Sequence, residues 1–409
     1  MNETLRRLLE EGIERAAFPA AQACVFRDGA PLGCASAGRT ARAGAPVTGS
    51  TRFDVASLTK VMATTTAAYV LVSGGALRLD DPVSRFFPAF AEGARARITV
   101  RHLLAHTSGL PAWRPLFAGL LRHPELRALY PGAAASQPVL LPAATVEAKR
   151  RALWQRARTY VVEAAATTPL ETEPGRVCVY SDPGFILLGE IVAACAGMPL
   201  DRFCAAWVFS PLGLESTGFR PLPAPAADPA AFAATGRTRP RAPARGQEGL
   251  YEIPPQRERD QVGEVDDDNC WAMGGVSGHA GLFSTAEDVA RWGEAIRAER
   301  EGARRLGDPE VLATFLALDP HPEGPPRALG FDVPSGPASS AGRLLGRAGP
   351  QGARGHLAFT GCSVWIDFDR RLTVALLTNR VYPNRANEAG IRAFRPAFHD
   401  AVIDALAGD

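Results

Sequence analysis

The sequence contains very few lysines, and it lacks both a strong charge of one sign and a long apolar run. Only two of its 45 basic residues are lysine, and 43 acidic residues leave a net charge of +2. A charge this small does not indicate a nucleic acid or an acidic membrane surface as a partner. No run of about 18 apolar residues indicates a membrane span, and the first residues show no secretory signal. We therefore expect a cytoplasmic protein that binds neither nucleic acid nor membrane, of unknown oligomeric state.

The cysteines do not follow a spacing that carries chemistry. There are seven of them, an odd number, and no two form a Cys-x-x-Cys pair. That spacing is typical of zinc sites and of thiol–disulfide centres, so neither is indicated. Because we expect a reducing compartment, we expect all seven to be free thiols.

The apolar pattern predicts strands near both ends of the chain and helices between them. Alternating segments flank a turn at Asp28-Gly29 and another at 369–371, and helical spacing covers both termini. This order indicates an α+β fold in which an antiparallel sheet is flanked by terminal helices. We expect one domain over 1–409.

Within that domain we expect a sheet subdomain formed by 1–53 and about 271–409, and a helical subdomain over about 54–270. The stretch 221–259 is rich in Pro, Ala and Arg. It is predicted to be a long, partly mobile surface loop.

One of the two lysines lies where a base would be needed. The segment "DVASLTKVMATT" places Ser57 and Lys60 three positions apart at the predicted start of a helix, on one face of its first turn. A serine hydroxyl becomes a nucleophile when a neighbouring base takes its proton, and a lysine amine can do so. An arginine cannot, because its guanidinium stays protonated. The retained lysine therefore indicates nucleophilic catalysis by Ser57.

Two further segments could complete such a site. In "CVYSDPGFILLGEIV", Tyr180 precedes a helical apolar pattern, and a phenol beside a lysine can relay protons. In "RGHLAFTGCSVWIDF", His356 and Ala358 lie in a probable strand whose small residues would let a substrate backbone add as a further strand. A backbone N–H there could pair with that of Ser57 to hold an oxyanion.

In this order the three segments resemble those of the serine β-lactamase and penicillin-binding-protein superfamily. The resemblance is to the branch that contains class C β-lactamases, serine esterases and D-aminopeptidases. It extends to the blocks at 98–113, 274–292 and 376–384, and so to nearly the whole chain. It implies a five-stranded antiparallel sheet with flanking terminal helices, and an active site in the cleft between that sheet and a helical subdomain.

The resemblance also implies roles for individual residues. Ser57 would be the acylated nucleophile, Lys60 its proton partner and Tyr180 the catalytic tyrosine. His356 would match the first position of the third motif. The backbone N–H groups of Ser57 and Phe359 would form the oxyanion hole.

Two positions depart from the superfamily pattern. The second motif has Asp182 where asparagine is usual, which removes amide donors and adds a negative charge. The third motif continues with Leu357 and Ala358 where threonine and glycine are usual. We expect Asp182, His356 and Ala358 to contact the substrate, and we expect both departures to disfavour penicillin-type substrates.

Other conspicuous side chains are interpreted as structural. His106 and His279 lie in family-like blocks, and neither is assigned to a catalytic triad. The acidic run, which is interpreted as a solvated loop without a metal, consists of Glu264, Asp266, Asp267 and Asp268.

The sequence thus predicts a serine hydrolase that acts through an acyl-enzyme on a small ester or amide, without cofactor or metal. It would be weak on β-lactams. Three alternatives remain open: an acyltransferase or peptide-cyclising thioesterase, a D-amino-acid peptidase, and a binding protein of the same fold without turnover.

Overall fold

The structure is a computed structural model, and it describes residues 1–130, 143–224, 226–243, 246, 249–252, 258–320, 323–336, 339–343, 345 and 352–407. Within these ranges the α-helices are α1 (Asn2–Glu14), α2 (Thr66–Ser73), α3 (Val100–Leu104), α4 (Ala118–Arg122), α5 (Ala143–Thr167), α6 (Asp182–Ala196), α7 (Leu200–Cys204), α8 (Asp268–Ala272), α9 (Ala286–Arg300), α10 (Pro309–Leu316) and α11 (Glu388–Ala407). Shorter or wider helical turns cover Lys60–Thr65, Val83–Arg85, Pro88–Phe90, Gly93–Arg97, Leu126–Leu129 and Ala205–Phe209. The strands are β1 (Ala20–Arg27), β2 (Ala30–Gly38), β3 (Phe53–Asp54), β4 (Gly218–Phe219), β5 (Leu282–Ser284), β6 (Arg354–Leu357), β7 (Ser363–Asp367) and β8 (Leu372–Thr378).

The main sheet joins strands from both ends of the chain. Its order is β2-β1-β8-β7-β6, and each neighbouring pair is antiparallel. Asp28 and Gly29 connect β1 to β2 with positive φ angles of 53° and 83°, which suit a two-residue hairpin turn. The α+β class predicted from the sequence is confirmed. A second, three-stranded sheet has the order β3-β5-β4.

Helices cover both faces of the main sheet. Successive residues of β1 alternate between two cores, because side chains of a strand point to opposite faces. Ala23 and Val25 pack with the terminal helices α1 and α11. Cys24 and Phe26 belong to the larger core, which the sheet shares with α9 and the helical middle of the chain. β6 is left as an edge strand, and it carries His356, one of the predicted site residues.

The cysteine prediction is wrong for one pair. Cys24 on β1 and Cys34 on β2 lie directly opposite each other and form a disulfide. The register shifts by one residue between Val25 and Phe26, and this bulge brings Cys34 rather than Gly33 opposite Cys24. Disulfides persist mainly in oxidising compartments, so the pair weighs against the reducing environment that we expected. The cytoplasmic location stays a prediction.

The proline-rich stretch 221–259 is not simply a surface loop. Its residues 225, 244–245, 247–248 and 253–257 lie outside the described residues. Arg239 and Arg241, however, are almost fully buried, because both form ion pairs with carboxylates beside the active site. The prediction of a surface loop is therefore wrong for this part. The division into two subdomains stays a prediction.

No single helix in the described ranges is long and apolar enough to cross a membrane. By length and composition alone, the bent pair Asp182–Ala196 and Leu200–Phe209 passes the same test.

Candidate active site

A cavity of about 410 Å³ lies beside the edge strand β6. It brings together residues from distant parts of the chain: Ala56, Ser57, Ala112, Trp113, Tyr180, Asp182, Asp266, Asp267, Asp268, His279, Ala280, Arg327, Asp332, His356, Leu357, Ala358, Phe359 and Arg385. All the predicted site residues except Lys60 line it, and Lys60 lies just behind Ser57. The volume falls within the range typical of small-molecule sites.

A tight turn presents Ser57 to the cavity. The carboxylate of Asp54, at the end of β3, accepts hydrogen bonds from the backbone N–H groups of Ala56 at 2.8 Å and Asp266 at 2.6 Å. Ala56 has a φ of 43°, a left-handed conformation that is costly for alanine. Burial, followed by the nearby charge of Asp266, raises the pKa of Asp54 to about 7. The turn before the serine is thus held by a buried carboxyl group.

Lys60 is fully buried one helical turn after the serine. Its ammonium donates to Ser57 Oγ at 3.1 Å and to the backbone carbonyl of His279 at 3.1 Å. It also forms an ion pair with Asp182 Oδ1 at 2.7 Å. Burial alone lowers the pKa of Lys60, but the Asp182 carboxylate and the Tyr180 phenol more than offset this, and the pKa is raised. In the resting site Lys60 is therefore an ammonium.

Tyr180 lies two residues before the start of α6, on the loop that the sequence predicted, and on its other side Val179 N–H donates to the carbonyl of His106 at 2.9 Å. The Ser181 side chain caps α6 by accepting from Gly184 N–H at 3.1 Å, and Ser181 N–H donates to His106 Nδ1 at 2.9 Å. The His106 ring packs on Tyr180 with centroids 4.5 Å apart, and Lys60 Nζ lies 4.8 Å from the Tyr180 ring centroid. His106 thus positions the tyrosine and makes no contact with Ser57 that would form a triad.

The Tyr180 hydroxyl is buried, and among the described residues it has no hydrogen-bond partner. Burial raises the pKa of this phenol; the positive charge of Lys60 opposes the rise, and Asp182 adds to it. The net shift is upward. Tyr180 therefore carries its proton at neutral pH and can donate it to a group that enters the cavity.

His356 lies on β6 as predicted, but it brings no positive charge to the cavity. Burial lowers its pKa to about 4, so the ring is neutral at pH 7. Its Nδ1 is 2.7 Å from the carbonyl oxygen of Leu357, which requires Nδ1 to carry the proton. Nε2 is then an acceptor, buried and without a partner among the described residues.

The outer edge of β6 is partly occupied by the chain itself. Asp332 pairs with Gly355 through two backbone hydrogen bonds of 2.7 and 3.0 Å. The N–H and carbonyl of Ala358 are also engaged, with Cys362 and Arg395. A substrate backbone therefore cannot add to β6 along its whole length, as the small residues had suggested, and Ala358 can offer only its methyl group.

Phe359 follows β6 at the mouth of the cavity and leaves 39% of its surface exposed. The guanidinium of Arg380 stacks on its ring at 4.3 Å and donates to its carbonyl at 2.6 Å. Phe359 and Ser57 line the same cavity, so their N–H groups remain the predicted oxyanion hole.

The acidic run is not a solvated loop, and that prediction is wrong. Asp266 and Asp268 are only 2% exposed, because arginines from two other segments pair with them. Arg239 Nη1 lies 2.7 Å from Asp268 Oδ1, and Arg241 Nε lies 3.2 Å from Asp266 Oδ1. Arg385 lies between the two carboxylates at 3.1 and 3.5 Å. The network forms one wall of the cavity.

Asp267 pairs with a histidine and not with the arginines. Its Oδ1 lies 2.8 Å from Nε2 of His279, whose Nδ1 lies 2.8 Å from Ser277 Oγ. Burial opposes ionisation of Asp267, but His279 holds its pKa below the usual range. Donor atoms of Asp182, Asp267 and His279 lie within 4.8 Å of one another, a spacing that could hold a metal. Because the Lys60 ammonium already occupies Asp182, a cation there would be repelled, and we assign no metal.

The sequence analysis assigned no role to four further residues that line the cavity. Arg327 lies 5.0 Å from the Tyr180 ring centroid and forms an ion pair with Asp332. Arg385 and Trp113 also line the cavity. None of the four belongs to a motif with a chemical mechanism. Trp113 ends the family-like block 98–113, and Arg385 directly follows the block 376–384.

This arrangement places a serine hydroxyl, a lysine and a tyrosine together at one cavity, side chains of the kind that serine hydrolases use for nucleophilic catalysis. Comparison with known proteins gives the family. A model of the Beta-lactamase family matches residues 5–395. The chain belongs to this family of serine hydrolases.

A relative from Salmonella schwarzengrund (strain CVM19633) is named "Putative D-alanyl-D-alanine carboxypeptidase". It is 31% identical over 351 residues, which cover 83% of this chain and 72% of the relative.

Two solved structures share the fold. One is titled "EstCE1, a hydrolase with promiscuous acyltransferase activity"; it has a TM-score of 0.65 and 23% identity, and the match covers 98% of this chain and 97% of the other. D-amino acid amidase from Ochrobactrum anthropi SV3, complexed with D-phenylalanine, has a TM-score of 0.68 and 18% identity, with 100% and 99% coverage. These likenesses confirm the predicted β-lactamase-like fold.

Proposed function

We propose that the protein hydrolyses a small ester or amide through an acyl-enzyme on Ser57. The observation that carries this proposal is the 3.1 Å contact between Lys60 Nζ and Ser57 Oγ at the edge of the cavity. The serine attacks the substrate carbonyl, and the N–H groups of Ser57 and Phe359 hold the oxyanion. Tyr180 donates a proton to the leaving group, and water then releases the acyl group.

The cavity favours a small, compact substrate over an extended peptide. Its volume of about 410 Å³ suits a small molecule, and Asp332 already pairs with Gly355 on the edge that a peptide strand would use. Trp113, Leu357 and Phe359 offer apolar surface for the acyl or alcohol group. His356 is neutral, so it gives a β-lactam carboxylate no positive charge. We therefore expect short esters to react fastest and nitrocefin slowly.

The test is a substrate panel of p-nitrophenyl acetate and butyrate, a thioester, D-amino-acid amides and nitrocefin. Ser57→Ala should abolish turnover, and a phosphonate probe should add its mass to Ser57 in the wild-type protein. Ser50→Ala, at an exposed serine outside the cavity, serves as the matched control and should keep full activity. Wild-type turnover by Ser57→Ala would refute the mechanism.

Acyl transfer is the second candidate. The structural relative EstCE1 is described as a hydrolase with promiscuous acyltransferase activity, and an acyl-enzyme can pass its acyl group to an amine or alcohol. Mass spectrometry of products formed with and without an added amine separates aminolysis from hydrolysis. A D-amino-acid peptidase would instead release product from the D-amino-acid amides. A stable adduct that never turns over would favour a binding protein.

A further inference from the structure

The ammonium of Lys60 cannot itself accept a proton. A protonated lysine carries three N–H donors and no lone pair. In this site three oxygens surround Nζ, from Ser57, His279 and Asp182, at 3.1, 3.1 and 2.7 Å. Lys60 can take the proton of Ser57 only if it gives up one of its own protons in the same step.

Of the groups that touch the ammonium, one can hold that proton. The His279 carbonyl is a backbone amide and is not basic. Ser57 is the proton source, and Tyr180 already carries its own proton. We propose that Asp182 is the proton acceptor for the activation of Ser57, reached through Lys60. This inference rests on the proposed acyl-enzyme mechanism.

The proton transfer balances in atoms and charge. As Ser57 Oγ bonds to the substrate carbonyl carbon, its proton passes to Lys60, and Lys60 passes another proton to Asp182 Oδ1. Lys60 remains an ammonium and Asp182 becomes a neutral acid, while the negative charge moves to the substrate oxygen. When the tetrahedral intermediate collapses, the proton returns from Asp182 through Lys60, and the leaving group departs protonated with the aid of Tyr180. Attack by water repeats the same steps.

This role differs from the substrate contact that the sequence suggested for Asp182. Its carboxylate lies at the start of α6, where the helix dipole favours negative charge. The charged and titratable groups that face the Lys60–Asp182 pair are Tyr180, His106, His356, Arg327, Asp267 and His279. The two histidines with lowered pKa values, His106 and His356, are neutral at pH 7. Arg327 is neutralised by Asp332, and Asp267 is bound to His279. Asp182 is thus the acidic side chain in direct contact with Lys60.

The test compares Asp182→Asn with the wild type on the best ester of the panel. Asparagine has nearly the same shape and is the usual superfamily residue, so loss of activity would not be a packing effect. We expect kcat/KM at pH 7 to fall about 10²-fold or more, as for loss of a general base. The acid limb of the pH profile should move upward by about one unit or more, because Lys60 must then itself lose a proton. Asp182→Glu should restore part of the rate.

A matched control variant and a second measurement accompany this comparison. Asp404→Asn, at an exposed position on α11, should leave the rate unchanged. A proton inventory of the wild-type enzyme in mixtures of H2O and D2O needs no variant to fold, and two protons in flight should give a curved dependence. A linear inventory, or Asp182→Asn with the wild-type rate and pH profile, would overturn the proposal. If the wild type neither turns over esters nor labels Ser57, it is the proposed function that fails.

Discussion

Replacing Gly189 with alanine perturbs a close contact between α6 and the segment that precedes β5. Gly189 lies in the middle of α6, and its backbone packs against Gly278 in the segment that precedes β5. A Cβ at Gly189 would lie 2.7 Å from both Cα and N of Gly278. The carbonyl of Gly278 accepts from Thr64 at 2.7 Å, and that of the next residue, His279, accepts from Lys60 at 3.1 Å. Any shift of this segment therefore reaches the lysine.

The size of the effect follows from that distance. Ordinary carbon contacts begin near ~3.5 Å, so α6 and the Gly278 segment must separate by about 0.8 Å. Overpacking of this kind costs about 1–3 kcal/mol. An unfolding entropy of about 2.1 cal/mol/K per residue converts this cost to a fall in Tm of about 1–4 °C for the whole chain. We also expect kcat on the best ester to fall, because the lysine loses alignment with Ser57.

Differential scanning calorimetry and ester kinetics measure the two effects together. Gly218→Ala is the matched control, since a Cβ there meets nothing within 4 Å and the residue does not have a positive φ. It should leave both Tm and kcat unchanged. If Gly189→Ala melts and turns over like the wild type, the close approach of α6 does not position Lys60, and the reasoning is refuted.

Two further predictions concern buried titratable groups. Tyr180→Phe removes a buried hydroxyl that has no partner among the described residues, so Tm should be unchanged. On an ester with a poor leaving group, kcat should fall about 10²-fold or more, because the leaving group loses its proton donor. Burial lowers the pKa of His399 to about 4, below its unfolded value of 6.5, so its contribution to stability is complete above pH 6.5 and is lost as the pH falls toward 4. At pH 5 this group costs about 2 kcal/mol relative to pH 7, and His399→Asn should remove that part of the pH dependence in denaturant unfolding. If the free energy of unfolding depends on pH in His399→Asn as it does in the wild type, this role of His399 is wrong.

The features that the sequence predicted well are local ones. Ser57 and Lys60 are three residues apart, and the Asp28-Gly29 turn joins adjacent strands, so a short window contains the information. The resemblance added the order of the motifs along the chain. Together they predicted the fold class and the proximity of Tyr180 and His356 to Ser57.

The features that were missed depend on contacts between distant segments. Nothing near Asp182 in the sequence indicates that it meets Lys60, 122 positions away. The burial of Asp266 depends on Arg241 and Arg385, which come from two other segments. The Cys24–Cys34 disulfide depends on a bulge that shifts the register by one residue. Such pairings are set by tertiary packing, which local patterns do not encode.

The burial of Lys60 has a consequence for chemical labelling. The chain contains two lysines, and while Lys60 is fully buried with its ammonium bound to three oxygens, Lys149 lies exposed on α5. Apart from the terminal amine, an amine-reactive dye or crosslinker should therefore modify the native protein at Lys149 alone. The other side-chain amine, on which the proposed chemistry depends, is protected by the same contacts that hold it beside Ser57.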